Sequence, residues 1–348
     1  MACARFVRLV HRSKSGSSVA ALLPLMMAAT VAGCGPAPTW TTVTGPHPAA
    51  LYSVWGPNAD DVWAVGGCTC PGKPHALLLH KTNGTFTEVA SPVDATLWWV
   101  HGFSASDVWI AGEQGTVLHW DGAALTKAPT EGLADTKLFG IWGPSPSDLW
   151  AVGGSPDISS MVLRWNGTTF AKVANAPEVK TDKLAGTWFK VWGSGPNDVW
   201  LVGQLGMVAN WNGSMWKVHD LSALGVTARD SLFTVAGRGP DDVYVVGGQP
   251  AQGLALHYAG GAWKKVAGLS LDGVQLLTGV SVSAAGDAII TGMNSARFVG
   301  REGSFRDDTR LGRVADWHAA YLLGPEQIFV AGGDFNAQAK GVIGYYGK

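Results

Sequence analysis

A six-residue phrase, Asp148-Leu149-Trp150-Ala151-Val152-Gly153, introduced by Ile141-Trp142-Gly143, returns along the chain with small variations. It reads Asp61-Val62-Trp63-Ala64-Val65-Gly66 after Val54-Trp55-Gly56, and Asp198-Val199-Trp200-Leu201-Val202-Gly203 after Val191-Trp192-Gly193. Taking the Asp as reference, the units are anchored at Asp61, Asp107, Asp148, Asp198, Asp242 and Asp287, with Gln327 in the seventh. Five residues later every unit carries Gly, and successive anchors lie 46, 41, 50, 44, 45 and 40 residues apart. A strand-rich unit of this length cannot bury its apolar surface alone. Radial packing of such units is the arrangement that a period in the forties specifies, which is a β-propeller.

Each unit divides into four strands, A to D. Strand A carries large apolar residues ten before the Asp (Leu51, Leu97, Leu138, Trp188, Leu232, Leu277, Trp317) and is read as ending seven before it (Val54, Val100, Ile141, Val191, Val235, Val280, Ala320). Strand B follows the Asp and is apolar on both faces, the pattern of a buried middle strand. Strand C has the form Leu118-His119-Trp120 or Leu163-Arg164-Trp165. Asn-Gly or Asp-Gly then marks a hairpin into strand D, at Asn83-Gly84, Asp121-Gly122, Asn166-Gly167 and Asn212-Gly213. The seventh unit stops at Tyr346-Gly347-Lys348 without a strand D, while Thr39-Trp40-Thr41-Thr42-Val43 near the other end reads like one. The expectation is an all-β, seven-bladed propeller of four-stranded blades over residues 38–348, its last blade closed by the N-terminal strand.

The first residues carry Arg5, Arg8, Arg12 and Lys14, an apolar run over 19–31, and then Ala32-Gly33-Cys34. A basic region, roughly a dozen apolar residues and a small-residue cleavage site describe a secretory signal peptide, too short to span a bilayer. Val31-Ala32-Gly33-Cys34 resembles the bacterial lipobox. That resemblance implies a signal peptide over 1–33, lipidation of Cys34, a short linker over 34–37, and, with Gly35 next to the lipid site, anchoring to the outer membrane. Its removal would leave 21 Lys and Arg against 26 Asp and Glu, a net charge of −5. A mildly acidic exported chain without a basic run is not built to bind nucleic acid.

The repeated Asp is read as structural, an acceptor for backbone N–H groups in its own turn, because its period is that of the fold. His80, His119 and His257 share one strand C position with Arg164 and Asn210 and are read the same way. Cys68-Thr69-Cys70, in an enlarged loop with His75 and His80 nearby, is expected to be a disulfide in an exported protein; a zinc or copper site and free thiols are the alternatives. B–C loops are enlarged in alternate blades, at 68–75, 155–160, 249–253 and 334–340, and D–A connections are long at 175–187 and 220–230. Both kinds of loop emerge on one face, which is therefore the expected binding surface. There the candidate ligand contacts are Trp98, Trp99 and Trp188, near the start of strand A, and His101 and His318 along the channel-lining strand. Asn-x-Ser/Thr triplets coincide with the hairpin turns.

The Gly-Gly pairs at Gly66-Gly67, Gly153-Gly154, Gly247-Gly248 and Gly332-Gly333, followed by strand C and strand D aromatics, resemble kelch repeats. The alternation of Val-Trp-Gly, Asp-Val-Trp-Ala-Val-Gly and Trp-Asn-Gly-x-x-Trp is similar to tectonin-type lectin propellers and to secreted repeat lipoproteins of environmental bacteria. These likenesses imply a fold and leave the activity open. The sialidase Asp-box is absent, and no nucleophile elbow, metalloprotease, phosphate-loop or dinucleotide motif occurs, so no catalytic, metal or cofactor residue is assigned. The expected function is non-enzymatic binding of a protein or glycan. The alternatives are a hydrolase or lyase at the channel mouth using His101, Asp182 or His318, and a structural part of an envelope complex.

Overall fold

A computed structural model describes residues 37–68, 70, 75–155, 160–308, 310 and 316–348. The expected signal peptide over 1–33 and the expected lipidation site Cys34 lie outside the described residues. Pro38–Lys348 forms one compact unit of seven four-stranded antiparallel sheets, each with its strands in the order A-B-C-D. Blade 1 is typical, with strands Ala50–Asn58, Asp61–Gly67, Leu77–Thr82 and Thr85–Glu88. Strand A runs on past the expected end at Val54, because Trp55 still pairs with Trp63 before an irregularity leads to Asn58 opposite Asp61.

The seventh blade combines Asp316–Gly324, Gln327–Asp334 and Ala339–Gly347 with Thr39–His47 as its outer strand. Thr39 sits opposite Gly347 and Trp40 opposite Tyr346, so the N-terminal strand closes the ring. Trp40 packs on Tyr346 with ring centroids 5.3 Å apart, and its Nε1–H donates to Asp308 Oδ2 at 3.1 Å, tying the closing strand to the segment that follows blade 6.

The core lies between blades. Trp63, Val65 and Leu78 of blade 1, all enclosed, pack against Leu97, Val108, Ile110 and Leu118 of blade 2. This is why strand B needs apolar residues on both faces. The Val-Trp-Gly phrase has a packing cause as well. A Cβ on Gly102 would stand 2.4 Å from the ring of Trp55 in the preceding blade, and one on Gly193 would stand 2.7 Å from the ring of Trp142. Gly102, Gly193 and also Gly237, which meets Trp192, are the seats of neighbouring indoles. Gly102→Ala is therefore expected to destabilise the protein by about 1–3 kcal/mol through overpacking. A urea-unfolding midpoint equal to that of the parent would contradict this.

The repeated Asp is structural, but its partners differ from the expected turn amides. Asp61 Oδ1 pairs with His80 Nε2 at 2.8 Å, Asp107 Oδ1 with His119 Nε2 at 2.9 Å, and Asp242 Oδ1 with His257 Nε2 at 2.7 Å. Asp148 instead receives two bonds from the Arg164 guanidinium, at 2.7 and 2.9 Å, and Asp198 one from Asn210. Each histidine of this position stacks on the aromatic residue of strand B, as His80 does on Trp63 with centroids 3.8 Å apart. The strand C column thus clamps strand B by one bond and one stack. The turn amides are satisfied by Asn and Asp residues elsewhere: Asn166 Oδ1 accepts from the backbone N–H of Thr168 and Thr169 in the C–D hairpin.

Candidate functional site

Strand A faces the axial channel, and its start carries a β-bulge in all seven blades. Pairing with strand B skips one residue between Leu51 and Ser53, Leu97 and Trp99, Leu138 and Gly140, Trp188 and Lys190, Leu232 and Thr234, Leu277 and Gly279, and Trp317 and Ala319. The skipped residue has no partner opposite it, and a bulge re-aims its side chain. It is Tyr52, Trp98, Phe139, Phe189, Phe233, Thr278 or His318, nine residues before the reference Asp or Gln327 of its blade. These seven residues line one cavity of about 220 Å³ at the channel mouth, on the face of the B–C and D–A loops, together with Trp99, Lys190 and Phe335.

The result is an aromatic cup. Tyr52 stacks on Trp98 at 4.5 Å between centroids and on the His318 ring at 5.2 Å, and Phe189 stacks on Phe233 at 4.8 Å. Trp98 meets Phe139, and Phe139 meets Phe189 edge-on. Thr278 opens a gap in this wall; its hydroxyl donates to the Trp317 carbonyl at 3.0 Å. The enlarged B–C loop of blade 7 delivers Phe335, which packs edge-on against both His318 and Tyr52.

Polar groups in the cup are few and shaped by burial. His318 is 5% exposed. Its Nδ1 lies 2.7 Å from the Leu51 carbonyl. A carbonyl only accepts, so Nδ1 carries the proton and Nε2 presents a lone pair. Burial holds the imidazole neutral, with its pKa lowered to about 4, opposed only in part by the bond to Leu51 and the charges of Asp316 and Asp334. His318 Nε2, Tyr52 Oη and Trp98 Nε1 are all buried without a hydrogen-bond partner. Lys190 Nζ donates to the Phe139 carbonyl at 2.6 Å and lies 4.4 Å from the centroid of the Trp99 ring. No carboxylate lines the cup among the described residues.

Below the cup, a second chamber of about 270 Å³ is ringed by Trp55, His101, Trp142, Trp192, Ala236, Ser281 and Tyr321, six residues before each reference position. Trp99 lines both chambers. His101 is half-buried here, near Phe103 and Trp142, and desolvation lowers its pKa to about 4.

The structure therefore brings Trp98, Trp99 and His318 together at the mouth and places His101 one layer deeper. Trp188 is elsewhere: it is fully buried, packs in the core between blades 3 and 4, and donates from Nε1 to the Pro177 carbonyl at 2.9 Å. It stands one residue before the bulge, on the side that faces the core. Asp182 is exposed on a small hairpin over 179–186 and does not line the cup. Cys68 and Cys70 are joined by a disulfide, which takes away the thiolates a metal would need, and His80 is engaged by Asp61. The expected loop at 249–253 is instead an extended hairpin, with Gln249 paired to Gln252. Tyr52, Phe139, Phe189, Phe233, Lys190 and Phe335 were not foreseen. The column nine before each anchor holds an aromatic or His in six of seven units, which is the signal that finds all but the last two.

No protein-family model matches the sequence, and no curated protein matches it either. Among solved structures, YCF48 from Cyanidioschyzon merolae superposes with a TM-score of 0.66 at 14% identity, covering 89% of this chain and 98% of that one. YCF48 bound to D1 peptide gives 0.63 at 14% identity, covering 89% and 97%. The WD40 repeats of RRP9 give 0.65 at 9% identity, covering 89% and 99%. At these identities the likeness shows the propeller fold alone, and none of these matches points to kelch or tectonin repeats in particular.

Proposed function

We propose that the chain is an exported lipoprotein, anchored through Cys34 to the outer membrane, that binds a protein or glycan ligand in the aromatic cup without transforming it. The observation that carries this reading is the bulged column. Seven blades re-aim one residue each at the channel mouth, and six of these residues are aromatic or His. Packing of the blades does not require it, since the core is filled by the flanking column ten before each anchor. Cavities of this kind, apolar with a few placed polar groups, are the usual form of a ligand site. The YCF48 structure with bound peptide supports the reading as a propeller of the same fold that holds a polypeptide. The cup contains titratable groups in Lys190, His318 and Tyr52, and among the described residues no carboxylate lines it to pair with them in acid–base work.

The test is a glycan array and a peptide array on the purified protein, followed by affinity measurement on any ligand found. Phe189→Ala combined with Phe233→Ala is expected to weaken binding by roughly thirtyfold or more, the size of an interface hot spot. Blank arrays, or a ligand indifferent to these substitutions, would remove the reading.

A further inference from the structure

The cup is walled mainly by rings, and among the described residues the one lining group that can carry a full charge near neutral pH is a cation. Lys190 reaches from blade 4 across to blade 3, where one of its three N–H bonds is taken by the Phe139 carbonyl. Its remaining contact is with the face of Trp99, from blade 2. No acidic side chain pairs with it among the described residues. Burial disfavours the ammonium and lowers its pKa to about 7. Lys190 is half-buried, and an ammonium so placed without a carboxylate keeps its charge at least cost when an anion sits beside it. Because Trp99 also borders the lower chamber, the ammonium marks the inner end of the cup, with Tyr52, Trp98, Phe139, Phe189 and Phe233 as the walls above it. The cavity, about 220 Å³, is below the roughly 300–1,000 Å³ of sites that take a whole drug-sized ligand. One ring with a short substituent is what fits.

We infer that the cup is specific for a compact aromatic group bearing a carboxylate, the ring held by the aromatic walls and the carboxylate turned inward onto Lys190 Nζ. This rests on the reading of the cup as the ligand site and names its chemistry. The shared chemistry occurs in a free arylalkanoic acid and in the terminal residue of a polypeptide ending in an aromatic side chain.

The experiment compares 3-phenylpropionate with 3-phenylpropanamide, which has the same shape and no charge, by quenching of tryptophan fluorescence and by calorimetry on the intact protein. The acid is expected to bind at least tenfold more tightly than the amide, and in Lys190→Met this preference is expected to collapse to about onefold. Equal binding of the two by the parent protein, or a preference that survives Lys190→Met, would overturn the inference while leaving the cup as a ligand site. Binding of neither would overturn the inference alone; the reading of the cup as a ligand site falls only if the glycan and peptide arrays are blank as well. An N-acetylated tripeptide ending in Phe, with its C-terminal amide as control, separates the two sources. Binding of the peptide acid more tightly than phenylpropionate assigns the cup to a polypeptide terminus, and the reverse order assigns it to the free acid.

Discussion

A protein lacking Thr39–His47 is expected to lose its cooperatively folded state and to self-associate. That strand is the outer member of blade 7, paired along its length with Ala339–Gly347. Without it, Ala339–Gly347 becomes a nine-residue unprotected edge, the feature that drives strand-to-strand association. The loss also reaches the ring. Trp40 packs against Tyr346 and donates to Asp308, which is nearly fully buried and otherwise held by Arg310. Removing the strand thus exposes an aromatic contact and takes a partner from a buried carboxylate, besides opening the six paired positions between the two strands. The combined cost is comparable with the whole net stability of a domain, about 5–15 kcal/mol. Size-exclusion chromatography and urea unfolding check this: the truncated protein should elute as an aggregate or unfold without a cooperative transition. A monomer with the parent midpoint would show that blade 7 stands without its fourth strand. Trp40→Ala, which keeps the backbone ladder, is expected to cost about 2–3 kcal/mol, near the lower end of the range for aromatic truncations because the ring is only half-buried.

The closing strand was legible because its evidence is complementary: one end of the chain lacks a strand D and the other end supplies one. The blades were legible because each repeats the same pattern, so every unit independently supports the same fold. The cup was not, and the reason is the bulge. A strand alternates with period two, so the apolar residue ten before the anchor, such as Leu51 or Trp188, predicts core on that side and leaves its successor as a surface residue. Skipping one partner at Tyr52, Trp98, Phe139, Phe189, Phe233, Thr278 and His318 breaks that alternation at the same place in every blade. Trp188, expected as a ligand contact, is therefore core, whereas Phe189 is the residue that enters the cavity. Recurrence points two opposite ways here. It marks the Asp and strand C columns as scaffold, and they do hold the blades together. Yet it also marks the cup, since a ring around a symmetry axis is the one place where a repeated position makes a single site.

Acidification should weaken the fold well before the carboxylates titrate. His101 and His318 line the two chambers, and burial lowers the pKa of each to about 4. In the unfolded chain both return to about 6.5. A depressed histidine is neutral in the folded state, so between these values the unfolded chain takes up protons that the folded chain refuses. The stability is complete above pH 6.5 and is lost as the pH falls from 6.5 toward 4. At pH 5 each histidine accounts for about 2 kcal/mol, from 1.5 pH units at 1.36 kcal/mol each. His219, near Lys217, has its pKa lowered by burial as well and adds in the same direction. Lys190 acts in a different window: its ammonium is disfavoured in the fold, so its contribution declines between about pH 10.5 and 7 and is nearly constant below. Urea midpoints at pH 7.5 and 5.0 separate these groups. The parent protein is expected to lose on the order of 4 kcal/mol or more between the two, and His318→Gln, whose amide still donates to the Leu51 carbonyl, about 2 kcal/mol less. His101→Gln should show the same reduction, and the double variant the sum. Parallel pH profiles for parent and variants would mean that water or a local opening lets these imidazoles protonate without unfolding, and that the walls of the channel are looser than their packing implies.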